Sequence, residues 1–325
     1  MLLTGIVARI LSVGIFALSA GIAFGQATAT GSGQEFPSKS IRLLTSAAGG
    51  GGDLSARMIA QGLPGPLGQQ VIVDNRAIAG AELVAKAAPD GYTLLLYGSN
   101  IWISPLMQST PWDPLRDFAP VMVATTAPNI LIIHPSLPVK SVKELIALAK
   151  AQPGSLNYAT AGTGSSTHLA AELFKAMAHV DIVRINYKGP GAAITDLLAG
   201  QVQMMISTAA SVTPHVKSAK LRAVAVGSAQ PSALAPGLPT VAASGLPGYE
   251  AESPFGIFAP ARSPVPVISR LNQEITRVLQ RADVKERLFN VGIDTVGSTP
   301  EGLTALMKAD VARLGKVIRD NNIRE

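Results

Sequence analysis

Three times in this chain an apolar run gives way to a glycine-containing loop and then to a helix-like stretch. The loops are Ala47–Asp53 (AAGGGGD), Thr160–His168 (TAGTGSSTH) and Tyr187–Gly191 (YKGPG). Strand, bare-backbone loop and helix in that order make a βα unit, and repetition of the unit builds an open sheet covered by helices. In such sheets ligands bind beyond the carboxyl ends of the strands, where helix N-termini aim free N–H groups outward.

The rest of the chain follows the same alternation. Strands are expected at 41–45, 71–75, 93–96, 129–134, 157–161, 182–186, 204–207 and 221–226. Helices are expected at 53–63, 79–87, 141–151, 165–177, 192–199 and 265–282. The strand runs are continuously apolar rather than alternating, as parallel strands covered on both faces require. The 165–177 helix presents Leu169, Leu173, Ala176 and Met177 as a stripe, and 265–282 presents Ile268, Leu271, Ile275, Val278 and Leu279. The Pro/Gly-rich stretch 228–248 reads as a long crossover flanked by two runs of αβ units. A length of 325 residues suits two lobes of that kind.

Charge narrows the partners. The net charge of +6 is scattered, with no Lys/Arg run of the sort that grips nucleic acid or a membrane surface. At the N-terminus one cation, Arg9, precedes an uncharged stretch from Ile10 to Gly25 that ends in Ala23-Phe24-Gly25. This pattern predicts a signal peptide over residues 1–25, a tether over 26–35 and a periplasmic mature chain. The absence of cysteine rules out a lipoprotein anchor and disulfides.

The loops differ in charge. Between Ala159 and Ala171 there is no acidic residue, but there are Thr160, Thr163, Ser165, Ser166, Thr167 and His168. One hydroxyl is expected to cap its own helix; the others, with the main chain of Ala161, Gly162, Thr163 and Gly164, are expected to hold an anion at the positive helix end. In the first loop Asp53 stands where an N-cap belongs, so Ala48, Gly49, Gly50 and Gly51 are expected to meet a ligand through backbone or water. Ser99 and Asn100 after a third strand, Tyr187 and Ser207 complete the candidate ligand contacts.

Catalytic signatures are missing. "GGGGD" lacks the Lys-Ser/Thr of a P-loop, "GTGSST" lacks the third glycine of a dinucleotide fingerprint, and no GxSxG occurs. The histidines at 134, 168, 179 and 215 have no metal-ligand spacing. The expectation is a binding protein without cofactor or metal. The rival reading is an exported enzyme using His168 as base on a carboxylate or ester.

The stretches "FPSKSIRLLTSAAGGGGDLSAR", "VIVDNRAIAGAELVAKAAPDGYTLLL", "ILIIHPSLPVKSVKELIALAKAQPGSLNYATAGTGSSTHLAAELFK" and "INYKGPGAAITDLLAGQV" resemble the Bug/TctC family of extracytoplasmic solute receptors. The resemblance covers nearly all of the chain beyond the leader. It implies an α/β, two-lobed periplasmic-binding-protein fold, with mostly parallel sheets flanked by helices and a ligand cleft between the lobes. On that reading residues 36–128 with 252–325 form one lobe, and 129–251 the other. It further implies a monomer that binds a small organic carboxylate and serves the membrane subunits of a tripartite tricarboxylate transporter, or a sensor's periplasmic domain. The loop matching Thr160–His168 would hold one carboxylate directly, and that matching Ala47–Asp53 the far end through water. Ser46 stands where relatives usually carry an aromatic residue, and Gln203 and Ser207 replace their acidic residues after "GQV".

Export is directly measurable. Cleavage after Gly25 leaves a chain beginning at Gln26, which intact mass of the periplasmic fraction will report; retention of Met1 in the membrane fraction contradicts it.

Overall fold

The computed structural model describes residues 36–76, 78–160, 162–320 and 323; the signal peptide and tether expected over 1–35 lie outside them. The strands are β1 (Ile41–Thr45), β2 (Val71–Asn75), β3 (Thr93–Gly98), β4 (Phe118–Ile133), β5 (Asn157–Thr160), β6 (Val183–Asn186), β7 (Met204–Thr208), β8 (Arg222–Val226), β9 (Glu252–Pro260) and β10 (Asp294–Thr295). The helices are α1 (Gly51–Gly62), α2 (Pro64–Leu67), α3 (Ala79–Ala85), α4 (Asn100–Ile103), α5 (Val142–Ala151), α6 (Ser166–Ala178), α7 (Pro190–Leu198), α8 (Ala209–Lys217), α9 (Val265–Gln280), α10 (Ala282–Asn290) and α11 (Pro300–Asp320).

Two parallel triplets form as the apolar runs dictate. β1 lies between β2 and β3, and β5 between β6 and β7. What joins them departs from expectation: β9 runs antiparallel to both β3 and β4, and β4 is antiparallel to β7, β8 and β10. The sheet system is therefore mixed rather than mostly parallel. The only α-helix between β3 and β4 is the four-residue α4, and none lies between β8 and β9, so neither strand arrives by the long helical crossover that a parallel pairing needs.

β4 is the longest strand, at 16 residues. Its first part, Phe118 to Pro128, is registered on β9; its last part, Asn129 to Ile133, is registered on β7 and β8. Only the last part is readable as a strand in the sequence, because Pro120 and Pro128 interrupt the rest. Pro120 is accommodated beside a register shift between Pro120 and Met122, where the ladder has already lost a bond.

The helices bury most of the faces their spacing predicts, but Ala176 and Met177 on α6 and Ile268 on α9 are only half-buried. On α9, Leu271, Ile275, Val278 and Leu279 are at most 2% exposed, against β1–β3 residues such as Leu43 and Leu94. On α6 the buried face is wider than a stripe, with Ala170, Ala171 and Phe174 also buried, because α6 packs on β7 and on α11. Helix α11 also lies along β4 and α4.

A polar thread ties α6 to the long strands. Ser253 Oγ donates to Asn129 Oδ1 at 2.7 Å and accepts from Ser166 Oγ at 2.7 Å, with Asn129 and Ser253 almost fully buried. Replacing Ser253 by Ala strands a buried acceptor, so Ser253→Ala is expected to lower stability by about 1–3 kcal/mol in urea unfolding. A loss within error of zero would show that the thread carries no weight.

Candidate functional site

The first loop answers the demand of its glycines. Helix α1 begins at Gly51 with Gly50 as N-cap, not with Asp53 as the residue types suggest. Asp53 sits in the first turn and reaches back. Its Oδ2 accepts the Gly49 N–H at 2.9 Å, its Oδ1 accepts from Asn75 Nδ2 at 2.9 Å, and Arg57 pairs with it at 3.0 Å. Burial alone would raise this carboxyl, but the Gly49 N–H, Asn75 and Arg57 outweigh it and hold it below its usual range. Its charge is thus neutralised within the loop and is 3% exposed. Phe255 lies close on Gly51 and Gly52: a Cβ at Gly51 would stand 3.0 Å from the ring's Cζ, and one at Gly52 2.8 Å from Ser46 Oγ and 3.2 Å from the ring's Cε1, so a side chain at either would push its neighbours aside.

The second loop changes the expected donors. Ser165 caps α6, accepting the His168 N–H at 3.2 Å. It donates to Gly162 O at 2.9 Å, so at the 3.1 Å contact between them Thr167 is the donor. Ser166 donates to Ser253 for the same reason. The hydroxyl hydrogens of Ser165, Ser166 and Thr167 are therefore engaged inside the protein in this structure, whereas the expectation has them turned to a ligand. What remains toward the cavity is the Thr163 hydroxyl and the Ser166 N–H, which has no intrahelical acceptor; the Thr167 N–H lacks one too but lies off the wall. Gly164 is held tightly: its φ is +75°, and a Cβ there would stand 2.5 Å from Ser104 Oγ.

The third loop was undervalued by the residue types alone. Tyr187 N–H bonds Thr160 O at 2.9 Å, setting it beside the second loop, and α7 starts at Pro190 behind the N-cap Gly189. Tyr187 donates its hydroxyl to Asp196 at 2.8 Å and, desolvated there, is pushed up to about 12. Lys188, between Tyr187 and Gly189, is exposed and has no ion-pair partner among the described residues.

These three loops and the end of β3 enclose a cavity of about 440 Å³. Of the expected contacts, Gly50, Asn100, Gly162, Thr163, Ser165, Ser166 and Tyr187 line it. Ala48, Gly49, Gly51, Asp53, Gly164, Thr167 and His168 belong to the same loops but are not on its wall. Ser207 is buried within β7, registered on Ile130, and Ser99 faces another cavity. Ala161 lies outside the described residues. Residue types did not point to Ser46, Ile78, Tyr97, Ser104, Gln108, Asn186, Lys188 or Phe255, all on the wall. Asn186 and Lys188 were findable, since they end β6 and open α7 by the same rule that picked the other loops. Phe255 was hidden in a strand that resembles a linker.

Electrostatics separates this cavity from its neighbour. Among the described residues on its wall Lys188 is the one that carries a charge, and none is a carboxylate. A second cavity of about 500 Å³, which shares Ser166, is lined by Glu250, Glu252, Asp310 and Arg313. There Arg313 is taken up by Glu250 O at 2.5 Å and Asp310 at 3.3 Å. Glu252 is raised by desolvation, then by Glu250 and Asp294. An anion is favoured in the first cavity and repelled from the second.

A donor-lined cavity at strand ends, beside helix N-termini and one lysine, fits a solute-binding protein in an α/β fold. This chain belongs to the TctC family: the model of the tripartite tricarboxylate transporter family receptor matches residues 55–323. Protein BugT of Bordetella pertussis is 36% identical over 97% of this chain and 98% of its own length. Among solved structures, Rhodopseudomonas palustris Rpa4515 with adipate superposes with a TM-score of 0.84 at 33% identity, covering 89% of this chain and 99% of that one. The periplasmic binding protein BugD gives 0.82 at 29%, over 89% and 99%. MatC from the same Rhodopseudomonas, with bound malate, gives 0.80 at 29%, over 87% and 100%. The protein is thus a solute-binding receptor of a periplasmic family, and not an enzyme.

His168 has a structural place in this site. It is fully buried, and desolvation, with Arg184 and Lys175 and against Glu172, pushes its pKa down to about 4. The unfolded chain, with a pKa near 6.5, binds the proton first as pH falls, so stability from this group is complete above about 6.5 and is lost toward about 4. Wild type is expected to lose about 2 kcal/mol more than His168→Gln between pH 7 and 5, read by urea titration. Parallel pH profiles would contradict the neutral buried ring.

Proposed function

We propose that the protein is a periplasmic receptor that captures a small carboxylate in the 440 Å³ cavity and delivers it to the membrane subunits of a tripartite transporter. The observation that carries this reading is the charge of the wall. The N-termini of α6 and α7, each worth roughly +0.5 of a charge, and Lys188 meet there with no carboxylate among the described wall residues, while the α1 end is offset by Asp53 in its own first turn. Adipate in Rpa4515 and malate in MatC support the ligand class.

The anion is held by the first-turn N–H groups of α6, the Thr163 hydroxyl and Lys188, while Ser46, Ala47 and Gly50 face the ligand's other end. Residues 36–128 with 252–325 act as one lobe and 129–251 as the other. The change of β4 partners between Pro128 and Asn129 supports that division, as does the gathering of buried residues into separate clusters on either side. Cleavage of the leader over 1–25 places the receptor in the periplasm.

The test is a thermal-shift and calorimetric screen over mono-, di- and tricarboxylates, with sugars and amines as controls. A carboxylate at 100 times its Kd is expected to stabilise by about 2.7 kcal/mol, a rise of about 4–5 °C for a chain of this size. Lys188→Gln is expected to weaken the best carboxylate about two- to fivefold and to flatten its salt dependence. Response to sugars or amines, with none to carboxylates, would refute the reading.

A further inference from the structure

The two ring nitrogens of His168 face two hydrogen-bond donors. The Gly164 N–H points at Nδ1 across 3.1 Å, and an Arg184 guanidinium nitrogen stands 3.0 Å from Nε2. A backbone amide and a guanidinium donate only, and a neutral imidazole has one nitrogen free to accept. Burial keeps the ring neutral. His168 therefore satisfies one of these two donors at a time.

Each choice has support. With the proton on Nε2, Nδ1 holds Gly164 and the ring N–H leans toward Glu172 Oε1, 4.0 Å away. That carboxylate already accepts from Tyr158, and from Lys175 at 3.2 Å. With the proton on Nδ1, Nε2 accepts from Arg184, and the ring N–H opposes the Gly164 N–H and drives it off. Turning the peptide between Thr163 and Gly164 takes Gly164 away from its φ of +75° beside Ser104, a change open to a residue without a Cβ. Thr163 and Ser165, on either side, line the cavity while Gly164 does not, so a turn of that peptide is what brings its N–H to the wall.

We propose that His168 is a positioning residue whose tautomer decides whether the Gly164 N–H is held behind the loop or presented to the ligand anion. An anion in the cavity attracts that N–H and so selects the Nδ1–H form, in which Arg184 takes Nε2. The inference rests on reading the cavity as a carboxylate site, and it adds a main-chain donor that the ligand-free arrangement conceals.

Two measurements test it, with adipate and malate as probes, or the tightest carboxylate of the screen above if neither binds. The first is long-range 1H–15N NMR of the histidine rings at pH 7, with His168 assigned by difference against His168→Gln. The expected result is an Nε2–H ring in the free protein and an Nδ1–H ring at saturation. The second is calorimetry on variants. Asn offers an acceptor only near the Nδ1 position, so His168→Asn keeps Gly164 tied back and is expected to raise Kd about tenfold. Gln reaches the Nε2 position and Arg184, leaving Gly164 free, so His168→Gln is expected to stay within about threefold of wild type. A merely structural histidine would move both variants together. Binding by wild type with an unchanged tautomer, or equal effects of Asn and Gln, overturns the inference and leaves the carboxylate reading intact. Absence of carboxylate binding by wild type overturns both. Should either variant fail to fold, the wild-type spectra alone decide.

Discussion

The antiparallel pairing of β4 with β9 is the interaction on which the rest depends. It is the ladder that continues the β1–β3 triplet through β9 into β4, while the far end of β4 carries β7 and β8. Phe255 projects from β9 onto the bare backbone at Gly51 and Gly52, so the same strand that joins the triplets also seats the first loop. Ser253, two residues earlier, fixes the start of α6 through Ser166. The position of both loops relative to one another thus follows from a few neighbouring residues of one strand.

Within that frame the site works by subtraction. Polar side chains are numerous in the second loop, yet Ser165, Ser166 and Thr167 turn their hydrogens inward to one another, to Gly162 O and to Ser253. The effect is to hold the first turn of α6 in one shape and leave its amides as the outward groups. Asp53 does the equivalent for α1, absorbing the Gly49 N–H while Arg57 cancels its charge. Preorganised main-chain donors of this kind lose little on binding, because no side-chain rotor is frozen when a ligand arrives.

Local pattern made the βα units legible. β1 and β2 fall on the residues that their apolar runs predict, and α5, α6 and α9 within a residue or two. The loops after β1, β5 and β6 were identifiable because a strand–glycine–helix order has few other uses. Long-range facts were not legible. Pro120 and Pro128 disguised the front of β4, and nothing local distinguishes Phe255 or Gln108 as wall residues. The assignment of Asp53 as N-cap failed because Gly50 fills that position by backbone alone, freeing the carboxylate to reach back to Gly49. The hydroxyls of the second loop were counted as ligand donors because residue type reveals capacity, and only coordinates reveal where each hydrogen goes.

The proposed seat of amides from the first turn of α6 has a consequence for how such receptors diverge. No side-chain replacement deletes a main-chain N–H, except one to proline. Mutation can therefore redraw the surrounding wall at Ser46, Ile78, Asn100, Gln108 or Lys188 while the grip on the anion persists. A lineage with this architecture is free to explore new ligand bodies without first losing the old head group, and drift at the wall changes which acid is taken sooner than whether an acid is taken.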